Sequence, residues 1–312
     1  MRFKRVYLLC AFLFLVSGVF AEEAEYLKWI KQGRKGNVEK QYLAGLAYYK
    51  GIGGAQKDYK KAYKWFEFAA RNGSLAAYVS LGDMHFFGYL SSADEKKAFN
   101  WYLKAAKKGN AEAMEKIGDM YLHSRFLGQN YFEAAKWYKR AAGKSVSPGA
   151  SSKLARLYYL GGKHFNRDEK KALKYFLRAF ELGDYNVAHY ISGIYEDKGD
   201  YEKAAQWLVK GAENGSPIAM YYLAKAYGGL REYSEKSFIK LDYVQAYKWL
   251  YILAKKEYQP RYEKDLSILT RKMEKSEVRK AKKLAAPLLQ KLVSEEDLKW
   301  SKYSKKHPSE MK

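Results

Sequence analysis

Small, aromatic and polar residues recur along this chain at spacings that a helix places on one face. Six copies of the pattern begin with Asp or Asn, continue with Ala after four residues and Trp or Tyr after seven, and end with a mostly small pair after eleven and twelve. Positions four, seven and eleven fall together on a helix. Each copy therefore predicts an amphipathic helix that begins at an N-cap Asp or Asn. The N-caps and aromatic residues are Asp58 and Trp65, Asp94 and Trp101, Asn130 and Trp137, Asp168 and Tyr175, Asp200 and Trp207, and Asp242 and Trp249.

A second apolar pattern precedes each copy and predicts a partner helix. It carries a mostly large apolar residue, then a small one, then usually Tyr three positions further on, as in Ile117, Gly118 and Tyr121. Gly inside a helix costs about 1 kcal/mol relative to Ala, so a recurrent small residue indicates close contact between helices. Helix pairs that repeat in this way stack, because one pair alone cannot bury its apolar face. The chain is therefore predicted to be an all-α, right-handed α-solenoid of six helix-turn-helix repeats over residues 38–258.

The two patterns together resemble a known repeat family. Ala-x-x-x-Leu-Gly-x-x-Tyr-x-x-Gly, followed by Asp-x-x-Lys-Ala-x-x-Trp-x-x-x-Ala-Ala-x-x-Gly, resembles the Sel1-like repeat, a relative of the tetratricopeptide repeat. Residues 80–88 with 94–109, and residues 58–73, carry this resemblance most clearly. The fourth copy departs from it at Tyr175 and Phe180. The resemblance implies an adaptor or assembly role, commonly in bacterial envelope or host-interaction settings.

The resemblance also brings an enzymatic alternative. Because some secreted, cysteine-rich members of the family act on β-lactams, the resemblance implies, as an alternative, a hydrolase that acts on β-lactams or cell-wall fragments. This chain has a single cysteine, Cys10, which lies in the N-terminal segment. Disulfides, thiol catalysis and cysteine metal ligands are therefore not expected in the mature protein, and the alternative is correspondingly weaker.

The first 21 residues predict a cleaved signal peptide. They combine a basic start, an apolar run from Val6 to Val16, and a small-x-small sequence from Val19 to Ala21. Mature protein would begin at Glu22. We therefore expect export to the periplasm or the cell exterior, in a bacterial envelope setting.

Helical caps are predicted on both sides of the repeats, because the outer faces of terminal repeats meet water. Residues 22–37 predict an N-terminal capping helix, and residues 259–299 a C-terminal helical cap that Pro287 kinks or ends. Residues 300–312 are charged and contain Pro, which predicts a disordered basic tail.

Charge supplies one candidate surface. The chain carries a net charge of +24, and removal of Arg2, Lys4 and Arg5 with the signal peptide leaves 55 basic against 34 acidic residues. This excess indicates either a solvated basic surface or attraction to an acidic protein, anionic lipid or wall polymer. A nucleic-acid partner is not expected, because no recognised binding motif accompanies the charge. The candidate anion-binding residues are Arg271, Lys272, Lys275, Arg279, Lys280, Lys282 and Lys283.

Tyrosine supplies the second candidate surface, with 30 residues in the chain. Several tyrosines lie on the predicted partner helices outside the repeat pattern. Tyr is favoured at binding hot spots, although packing between repeats would account for the same residues. The candidate partner-binding residues are Tyr42, Tyr49, Tyr159, Tyr190 and Tyr222.

The sequence contains no recognised catalytic motif. No zinc-protease, serine-hydrolase or phosphate-loop pattern accompanies the histidines, which are His85, His123, His164, His189 and His307. Asp83 and Asp119 recur in phase with the repeats and are interpreted as repeat features. We therefore predict no catalytic, metal-binding or cofactor-binding residue. The expected function is a scaffold that binds a protein or peptide on its concave surface, with the hydrolase and an electrostatic binder of anionic lipid or polymer as alternatives.

Overall fold

The computed structural model describes residues 24–144, 148–229, 239–256 and 259–306, with side chains as far as Leu292. These residues form fifteen α-helices and no strand. The helices are α1 (Glu25–Arg34), α2 (Val38–Lys50), α3 (Tyr59–Arg71), α4 (Leu75–Phe86), α5 (Glu95–Lys107), α6 (Ala111–His123), α7 (Tyr131–Lys144), α8 (Gly149–Leu160), α9 (Glu169–Glu181), α10 (Ala188–Asp197), α11 (Tyr201–Glu213), α12 (Pro217–Gly228), α13 (Tyr243–Lys256), α14 (Pro260–Thr270) and α15 (Lys275–Lys306).

Helices α2 to α13 form six pairs, which confirms the predicted all-α repeat fold. The even-numbered helices α2 to α12 are here termed first helices, and the odd-numbered helices α3 to α13 second helices. Each second helix begins directly after its predicted N-cap. In the first pair, Lys61 N–H donates to Asp58 Oδ1 at 2.9 Å, and in the second pair Lys97 N–H donates to Asp94 Oδ1 at 2.8 Å. Asn130, Asp168, Asp200 and Asp242 accept the equivalent bond.

A large, buried side chain of each second helix lies eight residues after the N-cap, one position beyond the aromatic residue of the sequence pattern. Five of the six aromatic residues at position seven are only half-buried; Trp249 is the buried one. Basic side chains cover several of these rings, such as Lys104 Nζ at 4.0 Å from the centre of Trp101. The residues at position eight are Phe66, Tyr102, Tyr138, Phe176, Leu208 and Leu250, each at most 3% exposed.

The small residues of the first helices accommodate these buried side chains. A Cβ atom placed on Gly82 would lie 2.3 Å from the ring of Tyr102, and one on Gly118 would lie 2.5 Å from the ring of Tyr138. Such separations are far shorter than an ordinary van der Waals contact. The close approach of paired helices that the sequence predicts is therefore confirmed, and its physical reason is the bulk of the residue at position eight.

These helices fall into two compact units. The first contains the described residues up to Ala113 together with those from Lys302, and the second runs from Met114 to Ser301. In the first unit, Ala62, Phe66, Ala69, Leu81 and Met84 belong to one buried cluster. Helix α1 packs Trp29 against Ala44, Ala47 and Ala55. In the second unit, separate clusters surround Tyr138, Phe176 and Leu250.

The C-terminal helices differ from the sequence expectation. Pro287 lies inside α15, which continues to Lys306, so it does not end the helix and the predicted disordered tail does not begin at Trp300. Ala281 and Ala285 before Pro287 and Leu292 after it belong to the same core cluster, and this packing supports the helix on both sides of the proline. No Pro or Gly follows until Pro308, so the sequence contains no further helix breaker within α15.

The predicted signal peptide lies outside the described residues, as do residues 307–312 and most of the insert between α12 and α13. Among the helices that the structure describes, none is both long enough and apolar enough to span a membrane.

Candidate partner-binding surface of the first helices

In the first unit, the candidate tyrosines pack around the buried ring of Phe66. The ring centre of Tyr42 lies 5.6 Å from that of Phe66, and the ring centre of Tyr49 lies 6.2 Å from it. Burial is the main cause that raises the pKa of Tyr42 and of Tyr49 above the usual value for tyrosine. These two side chains therefore help to hold the repeats together, and each is still half-exposed on α2.

Tyr49 also leads into an aromatic cluster that reaches solvent. Its ring lies 5.7 Å from Tyr59 and 5.4 Å from Tyr89, and Tyr59 stacks on Tyr89 at 4.7 Å. Phe87, which is 58% exposed, lies 5.8 Å from Tyr89. The first unit thus presents a continuous aromatic edge formed by α2, the N-terminus of α3 and the loop after α4.

In the second unit, Tyr159 and Tyr190 surround Phe176 in the same way. Tyr190 stacks on Phe176 at 4.9 Å, and Tyr159 lies 6.0 Å from Phe176 and 5.5 Å from Tyr190. Tyr222 joins this group through His189, whose ring lies between it and Tyr190 at 5.8 and 3.9 Å. The structure therefore brings together Tyr159, Tyr190 and Tyr222.

A cavity of about 320 Å³ opens between α6 and α8 in the second unit. Hydrogen bonds fix the polar groups at its floor. The hydroxyl of Tyr138 donates to Asp119 at 2.6 Å, and Lys153 Nζ donates to Asp119 at 2.7 Å and pairs with Glu115 at 2.7 Å. Burial lowers the pKa of Lys153, but the bonds to Asp119 and Glu115 outweigh it and leave the pKa raised. Lys153 therefore remains charged and bound to protein carboxylates.

The rim of this cavity offers groups without such partners. Arg156 is exposed and forms no hydrogen bond or ion pair with the residues that the structure describes. Leu122, Leu157 and Leu160 provide apolar walls, and Leu160 is 67% exposed. The cavity thus combines a free guanidinium with an apolar lining, an arrangement suited to a carboxylate on a partly apolar chain.

A second cavity, of about 440 Å³, lies between α7, α9 and the loop before α9. Its basic residues are mostly neutralised by neighbouring carboxylates. Lys136 pairs with Glu133, Lys171 with Asp168, and Arg167 with Glu169 and Asp197. This cavity therefore offers less uncompensated charge than the number of its basic residues suggests.

The in-phase aspartates have a structural role that agrees with their interpretation as repeat features. Asp83 accepts a hydrogen bond from Tyr102 at 2.7 Å, as Asp119 does from Tyr138. This pairing was not predicted, although the sequence carries a signal for it. Asp follows the small residue of the first helix only in the two copies that carry Tyr at position eight.

The histidines lie in separate environments. His85 packs edge-on against Tyr63, with Tyr63 Oη 3.5 Å from His85 Nε2, and burial lowers the pKa of His85. His189 Nδ1 lies 2.5 Å from the carbonyl of Asn186, and burial likewise lowers its pKa. His123 lines the smaller cavity and His164 the larger one. Within the described part of the chain, no group of three or more His, Cys, Asp or Glu residues could hold a metal ion.

The candidate anion-binding residues lie together at the C-terminal end of the second unit. Arg271 and Lys272 occupy the turn before α15, and the other five lie on α15 itself. All seven side chains are exposed.

Comparison with known proteins places this geometry in a family. A family model described as "Sel1 repeat" matches residues 41–74, 75–110, 111–145, 148–184, 185–216 and 217–258. These six matches cover more than half of the chain and agree in number with the six predicted copies. No curated protein matches the chain.

Two solved structures illustrate the similarity. A protective antigen present in uropathogenic Escherichia coli strains, displaying an SLR fold, is 23% identical with a TM-score of 0.67. The alignment covers 92% of this chain and 61% of that one, so this chain spans less than two thirds of its length. A Sel1 repeat protein from Oxalobacter formigenes is 28% identical with a TM-score of 0.59, over 71% of this chain and 89% of that one. These likenesses support the repeat fold.

Proposed function

The chain belongs to the Sel1 repeat family, and we propose that it works as a scaffold whose first helices bind a protein or peptide partner. Stacked repeats create extended surfaces, and this use is typical of the family. Repeat solenoids of this kind are generally not catalytic. Binding is therefore the function that the fold favours over the hydrolase alternative.

The observation that carries this proposal is the arrangement on α6, α8, α10 and α12 in the second unit. Tyr159, Tyr190 and Tyr222 form one ring cluster, and α8 also contributes Arg156 and Leu160 to the open cavity. Tyr and Arg are the residues enriched at binding hot spots, where they supply large contact area and charged hydrogen bonds. The partner expected here is a peptide segment with an acidic group beside apolar residues.

Export is part of the same proposal. The first 21 residues have the order of charge, apolar run and small residues typical of a signal peptide, so the partner would belong to the cell envelope or its exterior. Intact-mass measurement of the protein from separated cell fractions tests this step. A chain that begins at Glu22 outside the cytoplasm supports export, and a full-length cytoplasmic chain contradicts it.

Site-specific photo-crosslinking tests the binding surface. The photoreactive residue is placed at Leu160 or Tyr222 on the proposed surface, and at Lys170 on the exposed side of α9 as a control. We expect one partner to be captured from the first two positions and not from the third. Capture of the same protein at equal yield from all three positions would contradict a defined surface.

The variant Arg156→Ala then tests the role of the cavity. Truncation of a hot-spot Arg weakens binding about ten-fold or more, whereas Lys170→Ala should leave the affinity unchanged. Because Arg156 is exposed, its loss should not change the thermal midpoint. An unchanged affinity in Arg156→Ala would remove the cavity from the binding surface.

A further inference from the structure

The seven basic residues from Arg271 to Lys283, two in the turn before α15 and five on it, together form a cationic face. The proposed binding surface of the first helices does not use them. This stretch of thirteen residues contains two acidic residues, Glu274 and Glu277. None of the seven forms an ion pair with a carboxylate among the described side chains. Two of the seven contact a ring instead, with Lys272 Nζ 5.4 Å from the ring centre of Tyr243 and Lys282 Nζ 5.6 Å from that of Tyr251. The stretch therefore presents concentrated positive charge that no carboxylate among the described side chains compensates.

The helix geometry explains why the two acidic residues do not neutralise this face. Ala281, Ala285 and Leu292 pack into the core, and at about 100° per residue Arg279 and Lys283 lie on the opposite side of the helix. Lys275 and Lys280 lie beside them, and Lys282 lies at the edge of this face. Glu277 lies on the inward side of α15, and its Oε2 accepts the backbone N–H of Glu274 at 2.9 Å at the start of the helix. Between Lys275 and Lys283 the one acid of the helix, Glu277, thus lies on the inward side, and the charged side chains of the outward side are all cations.

Basic residues of the second helices show the contrast. Lys61, Lys97, Lys171 and Lys203 each pair with the N-cap aspartate three residues earlier, at 3.3, 3.2, 2.8 and 2.6 Å respectively. The repeat pattern therefore supplies a countercharge to one lysine in each of these helices. The cationic face has no such carboxylate partner among the described side chains.

We propose that this cationic face binds the surface of a lipid bilayer that contains anionic phospholipid. Clusters of about four to eight Lys and Arg on a helix suffice to attract such a surface. From Lys275 to Lys283 the face extends about 12 Å along the helix axis, at about 1.5 Å per residue. Several headgroups can therefore be contacted at once. The contact is peripheral, because the apolar side of α15 is already buried in the protein.

A protein partner fits this face less well. Protein interfaces need a desolvated core of apolar or aromatic side chains. Among the described side chains of α15, Leu284 is the large apolar one that is exposed beside the cations, at 42%. Neither of the two cavities described above is lined by these residues. Exposed positive charge with little apolar surface beside it is what a planar array of phosphate headgroups attracts.

Vesicle sedimentation of the mature protein tests the proposal. The probes are vesicles of phosphatidylglycerol mixed with phosphatidylcholine, and vesicles of phosphatidylcholine alone. We expect binding only to the mixed vesicles at low salt, and its loss as the salt rises above about 0.15 M, where exposed charges more than about 8 Å apart are screened. Each Lys or Arg near such a surface contributes about a five-fold gain in affinity.

Two triple variants with the same change in net charge separate the face from general basicity. Lys275→Gln, Arg279→Gln and Lys283→Gln should weaken binding about a hundred-fold at low salt. Lys60→Gln, Lys64→Gln and Lys96→Gln, all exposed on second helices, should weaken it only a few-fold. Gln is a good helix former, so both variants should keep the helical circular dichroism of the parent.

Three outcomes would overturn the proposal. Equal losses in both triple variants would assign binding to the net charge of the whole protein. Equal binding to phosphatidylcholine alone would exclude recognition of anionic lipid. Displacement from the vesicles by a low concentration of an acidic peptide, with tighter binding to that peptide, would identify a protein partner instead.

Discussion

The substitution Gly82→Ala tests the packing principle of the repeats at its most restrictive point. A Cβ atom at this position would lie 2.3, 2.5 and 3.0 Å from three ring atoms of Tyr102. Ordinary contact begins at about 3.4 Å, so the ring must move by about 1 Å. Tyr102 is 2% exposed, and its hydroxyl is bound to Asp83 at 2.7 Å, so the ring is held at both ends.

Three contributions determine the expected loss of stability. Overpacking of a buried site costs about 1–3 kcal/mol, and weakening of the bond between Tyr102 and Asp83 costs about 1 kcal/mol. Replacement of Gly by Ala inside a helix stabilises it by about 1 kcal/mol. The net destabilisation is therefore about 2 kcal/mol, which lowers the thermal midpoint by about 4–8 °C.

Circular dichroism at rising temperature, with urea unfolding as a second measure, provides the assay. The control is Gly143→Ala, because Gly143 lies in the last turn of α7 and has no atom within 4 Å of the added Cβ. This control should gain up to about 1 kcal/mol from helix propensity. The two Gly-to-Ala changes are therefore expected to move the midpoint in opposite directions.

A double variant identifies the ring as the cause. The last repeat places Ala224 opposite Leu250, so Tyr102→Leu should make room for Ala at position 82. The cost of Gly82→Ala should then fall to near zero, a coupling that contacting residues show and distant ones do not. If Gly82→Ala is as harmless as Gly143→Ala, or if its cost persists beside Leu at position 102, the packing argument is refuted.

Three further outcomes follow from individual contacts. Hydrogen bonding from the backbone of Lys97 lowers the pKa of Asp94. The ionised Asp94 therefore stabilises the folded protein fully above the unfolded pKa near 3.8, and this contribution is lost as the pH falls through the lowered folded pKa. Asp94→Asn should reduce the acid-induced drop in thermal midpoint. Tyr138→Phe should cost about 1–2 kcal/mol in urea unfolding, because one hydrogen bond to a charged Asp119 is lost. Arg156→Ala should weaken partner binding in a titration without lowering the thermal midpoint, and an equal fall in both would assign it a structural role.

The repeat register and the helix starts were predictable because they depend on local chemistry. An N-cap such as Asp58 acts on the amide three residues later, and a closing residue such as Gly73, at φ +98°, permits a backbone turn that other residues resist. Both effects act within a few residues; the N-cap recurs six times in phase, and the closing glycine four times, at Gly73, Gly109, Gly183 and Gly215. They therefore survive in the sequence as a readable pattern.

The buried residue at position eight was not predicted, because the sequence pattern is defined by the more uniform aromatic residue at position seven. Trp101 is the recognisable member of its repeat, yet Tyr102 beside it is the side chain that fills the core. Position eight varies among Phe, Tyr and Leu, and it is aromatic in each of the three copies whose first helix places Gly against it. The fit between a small residue on the first helix and a large one on the second is a property of two positions together. A search for a single repeated residue does not detect it.

Pro287 shows the limit of a local rule. An interior proline removes one backbone hydrogen bond and crowds the preceding turn, which costs about 3 kcal/mol in an isolated helix. Ala285 and Leu292 lie on either side of it and are buried in one cluster, so packing offsets that local cost. Lys283, whose carbonyl loses its partner, is exposed, and water can solvate that carbonyl. The sequence correctly marked the strained position but not the tertiary contacts that tolerate it.

Variation between copies carries more information about function than their agreement does. One position directly follows the small residue of each first helix and is occupied by Leu46, Asp83, Asp119, Arg156, Gly193 and Lys225. The repeat fold tolerates every one of these residues, so packing does not dictate the choice. Two of them bind a buried tyrosine hydroxyl, and Lys225 pairs with Asp265 at 3.3 Å. Arg156 is the charged residue of this set that the described protein leaves free for another molecule, which is why the binding surface is proposed at its cavity.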